Sequence, residues 1–466
     1  MDTNLPVKAG FSTDVSPLTA ALLAADSGDI GVGLRTLGNY IPDIRKVSLD
    51  RYFDPAFAAL ERERLWKKVW QFACREEDIP NVGDRVPYTV GDLSYVIVRS
   101  GPEEFKAFYN SCLHRGTRLC NAPGSGKSLR CPFHAWQWDL DGSLRSIPSR
   151  WDFPHVKAED YQLPEVKLGT WGGFIFINPD PDAGPLEETL GVLPEYFKDC
   201  PAEDRFTAFH VRKKVRANWK TTMEAFLESY HVVETHADSL SFTGDASTQY
   251  DIWENGISHI SRLITPLGIP SPHLGNHASV EAAANNTFAA FALAMPGVEV
   301  PKYDPNSPLS PRVQIATWRR QMMAAGLGRD MSAWPDTTLL DSIQYYSFPN
   351  FCPWYGEGLP LTYQFLPYGT DPNESIMDLR LTAPLPGGGV RPPSAPIIEL
   401  DFDQPFSDCP AMGLLSRIFD QDMGNLPLVQ AGMKAAAADR AYTTLGRYQE
   451  QRIAHFHEVL DRTLGI

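Results

Sequence analysis

The chain reads as an α+β protein, in which a small all-β domain precedes a larger domain of antiparallel sheet and flanking helices. Three observations predict this. Between Gly83 and Asn178 the sequence runs in short alternating stretches, TVGDLSYVIVRS, FKAFYNSC, SLRCPFHAWQWDLDG and GTWGGFIFINPD, separated by Gly, Pro, Asn and Asp turns, the texture of strands buried on one face. The stretch 345–384 repeats it in YYSFPNFCPWYG, LPLTYQFLPYG and SIMDLRLTAP. Helical periodicity instead governs residues 216–236 and 411–466, the latter ending in the amphipathic RYQEQRIAHFHEVLDRTLG.

In chain order, residues 1–47 mix a short apolar helical pattern, Leu18 to Ala25, with Gly and Pro, and are expected to form an arm packing on the larger domain. From Leu49 to Phe72 the apolar positions Phe53, Phe57, Leu60, Leu65 and Val69 fit one or two amphipathic helices. The Pro/Asp/Gly-rich start of PDPDAGPLEETLGVLPEYFKDCP marks a linker. The expected division is therefore 1–47 arm, 48–180 first domain and 181–466 second domain, with PLPGGGVRPPSAP interrupting the last. A length of 466 residues suits two or three domains.

A net charge of −15 argues against nucleic acid or an anionic membrane as the main partner, because both reward clustered cations. No run of about 18 apolar residues occurs, and MDTNLPVKAGFSTDVSPLTAALLAADSGD lacks the basic and apolar regions of a leader, so a cytoplasmic protein is expected. Seven cysteines, an odd number thinly spread, do not make a disulfide framework. Cys74, Cys200, Cys352 and Cys409 stand alone and are expected to be packing residues.

Two constellations carry chemistry. Inside the β domain lies Cys112-Leu-His114-Arg115-Gly116; sixteen residues then separate His114 from Cys131, which opens Cys131-Pro-Phe-His134-Ala-Trp136. Four such ligands can hold tetrahedral zinc, but structural zinc pairs usually keep two to four residues between members, and Cys112-x-His114 keeps one. A [2Fe–2S] cluster with two thiolates on one iron and two imidazoles on the other accommodates the tighter spacing. In the second constellation, NWKTTMEAFLESYHVVETH over residues 218–236, Glu228 and His231 share a helix face. His231 and His236 stand roughly 140° apart on a regular helix. Convergence on one ion therefore requires a π-bulge or a helix end between Val232 and Thr235. Two histidines need one carboxylate to complete a facial triad with positions open for O2.

The first pattern resembles the Rieske motif C-x-H-x(15–17)-C-x-x-H, including the Arg-Gly after the first His and the Pro-Phe-His-x-Trp around the second. The second resembles the mononuclear-iron motif of ring-hydroxylating Rieske oxygenases. That resemblance implies a Rieske β-sandwich domain and a helix-grip-like catalytic domain. It assigns Cys112 and Cys131 to one cluster iron, His114 and His134 to the other, and His231 and His236 to a separate Fe(II). The segment Phe419 to Gln430 resembles the family's acidic stretch, in which the ligand Asp precedes an Asn by three residues and a Gln by eight. Asp422 fits with Asn425 and Gln430; Asp420 is the alternative, and a mere helix N-cap is the other reading of either.

By the same resemblance Glu228 links His231 to His134 of the neighbouring subunit and carries electrons between subunits, which implies a homotrimer, with or without small β subunits. Most ring-dihydroxylating members carry Asp there, and many carry Asn where this chain has Ala225. The Leu-Glu-x-Tyr-His context is more similar to the branch that includes carnitine oxygenase. The implied activity is insertion of oxygen from O2 into a small organic substrate by mono-oxygenation, demethylation or C–N cleavage, with NAD(P)H electrons arriving from a reductase, either directly or through a ferredoxin. The alternatives are an arene cis-dihydroxylating subunit, a non-catalytic Rieske electron-transfer protein and a zinc-stabilised binding module. Six cations from Arg115 to Arg150 (Arg115, Arg118, Lys127, Arg130, Arg145, Arg150) against Asp139 and Asp141 form a basic island, read either as a ferredoxin dock or as a solvated face. Met223, Leu227, Phe348, Asn350 and Phe351 are the expected pocket lining.

Overall fold

The computed structural model describes residues 15–293, 297–387 and 390–466. The start of the expected arm and part of the PLPGGGVRPPSAP break lie outside them.

The first half of the chain builds a six-stranded antiparallel sheet in the order Gln71–Arg75, Phe174–Asn178, Glu165–Trp171, Glu104–Tyr109, Leu93–Gly101, Arg85–Val90. Alternation is clean where one face meets water: Arg85–Val90 buries Val86, Tyr88 and Val90 and leaves the residues between them half-buried. Between Glu104–Tyr109 and Glu165–Trp171 the chain makes a long excursion, folded around the short strands Leu129–Arg130, Gln137–Trp138 and Leu144–Ser146. A core of its own, with Phe108, Leu129, Trp136, Trp138 and Ile147, holds this excursion on the sheet.

An eight-stranded sheet follows, in the order Gln249–Glu254, His259–Thr265, Ser342–Ser347, Cys352–Tyr355, Leu361–Pro367, Ser375–Pro384, Arg205–Val215, Ile397–Leu400. All neighbours are antiparallel except the last pair. Helices Val280–Ala292 and Pro311–Leu327 pack on each other in the crossover after the second of these strands. The C-terminal helix Gln451–Leu464 buries Ile453, Phe456, Val459, Leu460 and Leu464 in the main core. Phe456 meets the Trp219 ring edge-on at 5.7 Å, and Gly465 ends the helix at φ 70°, a conformation that favours glycine.

The two sheets are stitched by residues from both. The Phe351 ring lies 5.2, 4.8 and 5.1 Å from those of Phe72, Phe174 and Phe176. Asn350 is fully buried; its Oδ1 accepts from the Phe72 amide at 3.2 Å and its Nδ2 donates to the Tyr88 hydroxyl at 3.2 Å. The arm helix Pro17–Ala24 is held through Ser16, whose hydroxyl donates to the Ser247 carbonyl at 2.6 Å.

The helical turns Leu49–Tyr52 and Pro55–Arg64, expected within the first domain, contact both halves of the chain: Arg62 pairs with Asp92 beside the first sheet at 2.6 Å. Tyr52 donates to Glu224 at 3.0 Å, and Glu61 pairs with Lys220 at 2.7 Å in full burial. A buried ammonium needs its counter-charge, so Lys220 ties the Glu61 helix to the second half of the chain.

Candidate metal centres

Two loops of the small domain present the cysteine–histidine pairs, and they are near copies of each other. The Cys112 carbonyl accepts from the Gly116 amide at 2.8 Å, and the Cys131 carbonyl from the Ala135 amide at 3.1 Å. The closing residues both have positive φ, 78° at Gly116 and 59° at Ala135. Glycine adopts this freely, whereas alanine does so at a cost the surroundings must offset. The loops bring the His114 and His134 rings to a centroid distance of 4.6 Å, with His114 stacked flat on Trp136 at 5.0 Å.

Both cysteines are buried and both histidines half-buried. Burial pushes both thiols up, but backbone amides of His134 and Phe133 aimed at the Cys131 sulfur outweigh it and hold that thiol below its ordinary value; at Cys112 burial wins. The Nδ1 atoms of His114 and His134 are buried without any hydrogen-bond partner. Orphaned ring nitrogens of this kind require an explanation, and two thiols beside two lone-pair nitrogens fit an iron–sulfur cluster.

The second site is built on a broken helix. Asn218 caps Trp219–Glu224 by accepting from the Lys220 amide at 3.0 Å, and the helix ends at Ala225. The chain resumes as the single turn Val232–Thr235, with His231 as its N-cap and His236 as its C-cap. The chain thus breaks twice, over residues 225–231 and again where the turn ends at Thr235, the second being a helix end of the kind the spacing argument required. Glu228 starts the new turn. Its Oε2 accepts from the amides of Tyr230 and His231, the latter at 3.0 Å, satisfying the orphan donors of a new helix start. At the other end His236 leaves helical geometry (φ −119°, ψ 41°) and turns its ring back, to a centroid distance of 5.1 Å from His231.

The carboxylate comes from the long helix Leu414–Lys434. Ligand atoms of His231, His236 and Asp422 lie within 4.8 Å of one another. Asp422 Oδ1 is 3.8 Å from His231 Nε2 and 3.1 Å from His236 Nε2. Both imidazoles are held from behind: His231 Nδ1–H donates to Glu228 Oε1 at 2.7 Å, and His236 Nδ1–H to Gln421 Oε1 at 2.8 Å. Each Nε2 is thereby left as the lone-pair donor facing Asp422. Although burial pushes the His231 imidazole down, Glu228 and Asp422 outweigh it and raise it. Asp420 points elsewhere, accepting from the amides of Phe406 and Ser407 at 2.6 and 3.1 Å. Asn425 donates to Thr235 at 3.0 Å, and Gln430 accepts from the Asn218 amide at 2.9 Å, so the spacing around Asp422 describes one helix face gripping the broken helix.

Residues 69–157 match the Rieske [2Fe-2S] domain, and residues 203–466 match the catalytic domain of the ring hydroxylating alpha subunit. The chain belongs to the Rieske ring-hydroxylating alpha subunit family. As an alpha subunit of this family it carries a [2Fe–2S] cluster and a mononuclear Fe(II), which sets aside the zinc-module and electron-transfer-only readings. The carnitine monooxygenase oxygenase subunit of Escherichia coli (strain K12) is 32% identical over 199 residues, covering 41% of this chain and 53% of that protein. The 2-aminobenzenesulfonate 2,3-dioxygenase subunit alpha of Alcaligenes sp is 28% identical over 298 residues, 60% of this chain and 74% of that protein. Among solved structures, a quaternary ammonium Rieske monooxygenase in complex with an inhibitor superposes with a TM-score of 0.61 at 17% identity, covering 90% of this chain and 95% of the other.

Within this alpha-subunit architecture, the residues expected to line a pocket fall in two places. Phe348, Asn350 and Phe351 lie in the turn between strands Ser342–Ser347 and Cys352–Tyr355; Phe351 and Asn350 pack between the two sheets, and Phe348 lies against Phe456 at 5.9 Å and His259 at 6.1 Å. Met223, near the end of helix Trp219–Glu224, and Leu227, in the break that follows it, are fully buried in the main core. Two residues before Glu228 stands the half-buried Phe226. It stacks on Phe365 at 5.5 Å and meets Tyr363 at 5.3 Å and Phe419, one helical turn before Asp422, at 5.9 Å. Burial first, and then the Asp422 charge, push the Tyr363 hydroxyl well up. Phe226, Tyr363 and Gln421 were missed by sequence reasoning. Only Gln421, adjacent to the candidate acids, carried any local signal.

Proposed function

We propose that this chain is the oxygenase component of a multicomponent system that inserts oxygen from O2 into a small organic substrate by mono-oxygenation, demethylation or C–N cleavage. The observation that carries this reading is the convergence of His231, His236 and Asp422 in a chain that also presents the Cys112/His114 and Cys131/His134 loops. In this proposal Cys112 and Cys131 hold one cluster iron, the Nδ1 atoms of His114 and His134 hold the other, and His231, His236 and Asp422 hold the mononuclear Fe(II). When bound, these groups supply electrons one at a time and activate O2.

The protein's own work is positional. Glu228 and Gln421 fix the tautomer and direction of the two imidazoles. Asp422 is buried, so its charge is unscreened by water. The half-buried Phe226 ring, backed by the buried rings of Tyr363, Phe365 and Phe419, is the apolar surface we assign to a substrate's hydrocarbon part and to excluding water from the reacting carbon.

Electrons come, in this reading, from a reductase directly or through a ferredoxin docking on the basic island, whose six cations are all exposed. Around the half-buried cluster histidines, Phe133 and Trp151 are 57% and 81% exposed, and beside Glu228 and the Asp422 helix Tyr230 and Leu428 are 51% and 68% exposed. Two exposed apolar surfaces at the two metal sites fit a contact between neighbouring subunits of a homotrimer, with Glu228 as the bridge to His134 of the partner subunit. We divide the chain into the arm, a cluster domain and a catalytic domain, with the first boundary moved to near residue 68 because of the Glu61–Lys220 pair. Among the described residues no helix is long and apolar enough to cross a membrane, in keeping with the cytoplasmic location we propose.

The deciding experiment is a single turnover of reduced protein with 18O2 against arenes, aryl ethers and quaternary amines, reading products by mass. One labelled oxygen, or loss of a methyl or amine group, is expected. Two labelled oxygens on an arene would establish the dihydroxylating alternative, and no turnover by an iron-replete, reduced protein on any class would sink the substrate assignment.

A further inference from the structure

Away from both centres, a second group of metal-type side chains converges where the hairpin Gln249–Glu254/His259–Thr265 meets the C-terminal helix. Glu254 and His259 are cross-strand partners flanking the hairpin turn, and His455 lies in the second turn of Gln451–Leu464. One carboxylate oxygen, Glu254 Oε2, lies 2.8 Å from His259 Nδ1 and 2.9 Å from His455 Nε2. The three ligand atoms all fall within 4.8 Å of one another. The side chains of Glu254, His259 and His455 are only 9%, 16% and 1% exposed. His455 Nδ1, on the far side of its ring, is buried without a hydrogen-bond partner.

We propose that Glu254, His259 and His455 form a further metal site, distinct from the iron triad, for a divalent ion of the zinc type. Two imidazoles and a carboxylate are a zinc donor set. Tetrahedral zinc places its ligands about 3.3 Å apart when the bonds are about 2.0–2.1 Å long, so the two spacings to Glu254, 2.8 and 2.9 Å, need to open by only a few tenths of an ångström. Two ligands on a hairpin and another on a packed helix is also the plan of small ββα zinc modules. A fourth position is left for water.

One group competes. Arg462 Nη2 sits 2.8 Å from the same Glu254 oxygen, but its side chain is 48% exposed and can swing into solvent when a cation arrives. The role that follows from position is structural: the ion ties the hairpin to the last helix, and Tyr40 of the arm covers the site, its ring 5.6 Å from that of His455.

The test uses iron-replete holoenzyme incubated with Co2+ as a coloured stand-in, then desalted. Expected are about one cobalt per chain with tetrahedral-type visible bands and no loss of iron. Glu254→Gln and His259→Asn, shape-preserving changes at the sheet edge, should weaken cobalt binding at least about tenfold. Arg462→Ala should tighten it, an outcome that misfolding cannot imitate. Absence of cobalt from the wild type, binding only at the expense of iron, or undiminished binding by folded Glu254→Gln would each overturn the proposal and leave a plain hydrogen-bonded cluster.

Discussion

Gln421 is the sharpest test of the iron-site geometry, because it supports His236 through one contact and was not marked by the motif. Replacing it with Leu keeps the volume and removes the acceptor, Oε1, that lies 2.8 Å from His236 Nδ1. Leaving a buried donor unpaired costs about 1–3 kcal/mol, and each 1.4 kcal/mol is about a factor of ten. The His236 side chain is 10% exposed, so water replaces little of the lost bond, and His236 also loses its preferred tautomer. We therefore expect Gln421→Leu to weaken mononuclear iron binding about 10- to 100-fold. Gln421→Glu, which restores an acceptor, should recover most of it. The assay is iron retention against a graded chelator series, with the [2Fe–2S] absorption as internal control. Retention within about twofold of wild type in a folded Gln421→Leu protein would refute the claim that this amide sets the ring.

Other expectations follow from the same geometry. Asp422→Asn should remove the mononuclear iron while the reduced-cluster EPR signal persists, and equal loss of both would contradict separate sites. Phe351→Ala, at the centre of the ring cluster joining the sheets, should destabilise by about 3–5 kcal/mol, read as an earlier loss of cluster absorption in denaturant; a change confined to substrate affinity would restore its pocket role. Burial pushes the Asp378 carboxyl up, but His210, Arg212 and Arg380 outweigh it and hold it far below the ordinary 3.8. A depressed folded value means stabilisation that is present above that pH and lost as acid is added below it. Wild-type thermal stability should therefore fall steeply through the low-pH range, and Asp378→Asn, already weaker at neutral pH, should fall less.

The candidate ligands were legible because metal chemistry restricts residue type and spacing together. Cys112, His114, Cys131 and His134 can be paired on paper, as can the short-range relation of Glu228 to His231. What supports them was not legible. Whether Asp420 or Asp422 faces the histidines depends on helix rotation, which the structure sets by spending Asp420 on the Phe406 turn. Nor does the sequence say that Phe351 and Asn350, in the turn between two strands, serve the contact between sheets. Phe226 and Phe365 meet across 139 positions of chain, and no local pattern announces such a pairing. The burial of Lys220 was not legible either, since its partner Glu61 lies in a distant stretch of chain.

The single turn Val232–Thr235 has a thermodynamic meaning beyond placing two rings. A helix of one turn is all nucleation cost and no propagation, so it does not persist in water by itself. Glu228 clasps its start and Gln421 its end, and in the proposed site a metal ion on His231 and His236 would close the same clasp. Winding this turn and capturing iron are then one equilibrium: whatever stabilises the coil tightens the metal, and an oxidant that strips the metal loosens the coil. Amide exchange at residues 232–236 should accordingly serve as a gauge of iron occupancy, fast in the stripped protein and slow in the loaded one.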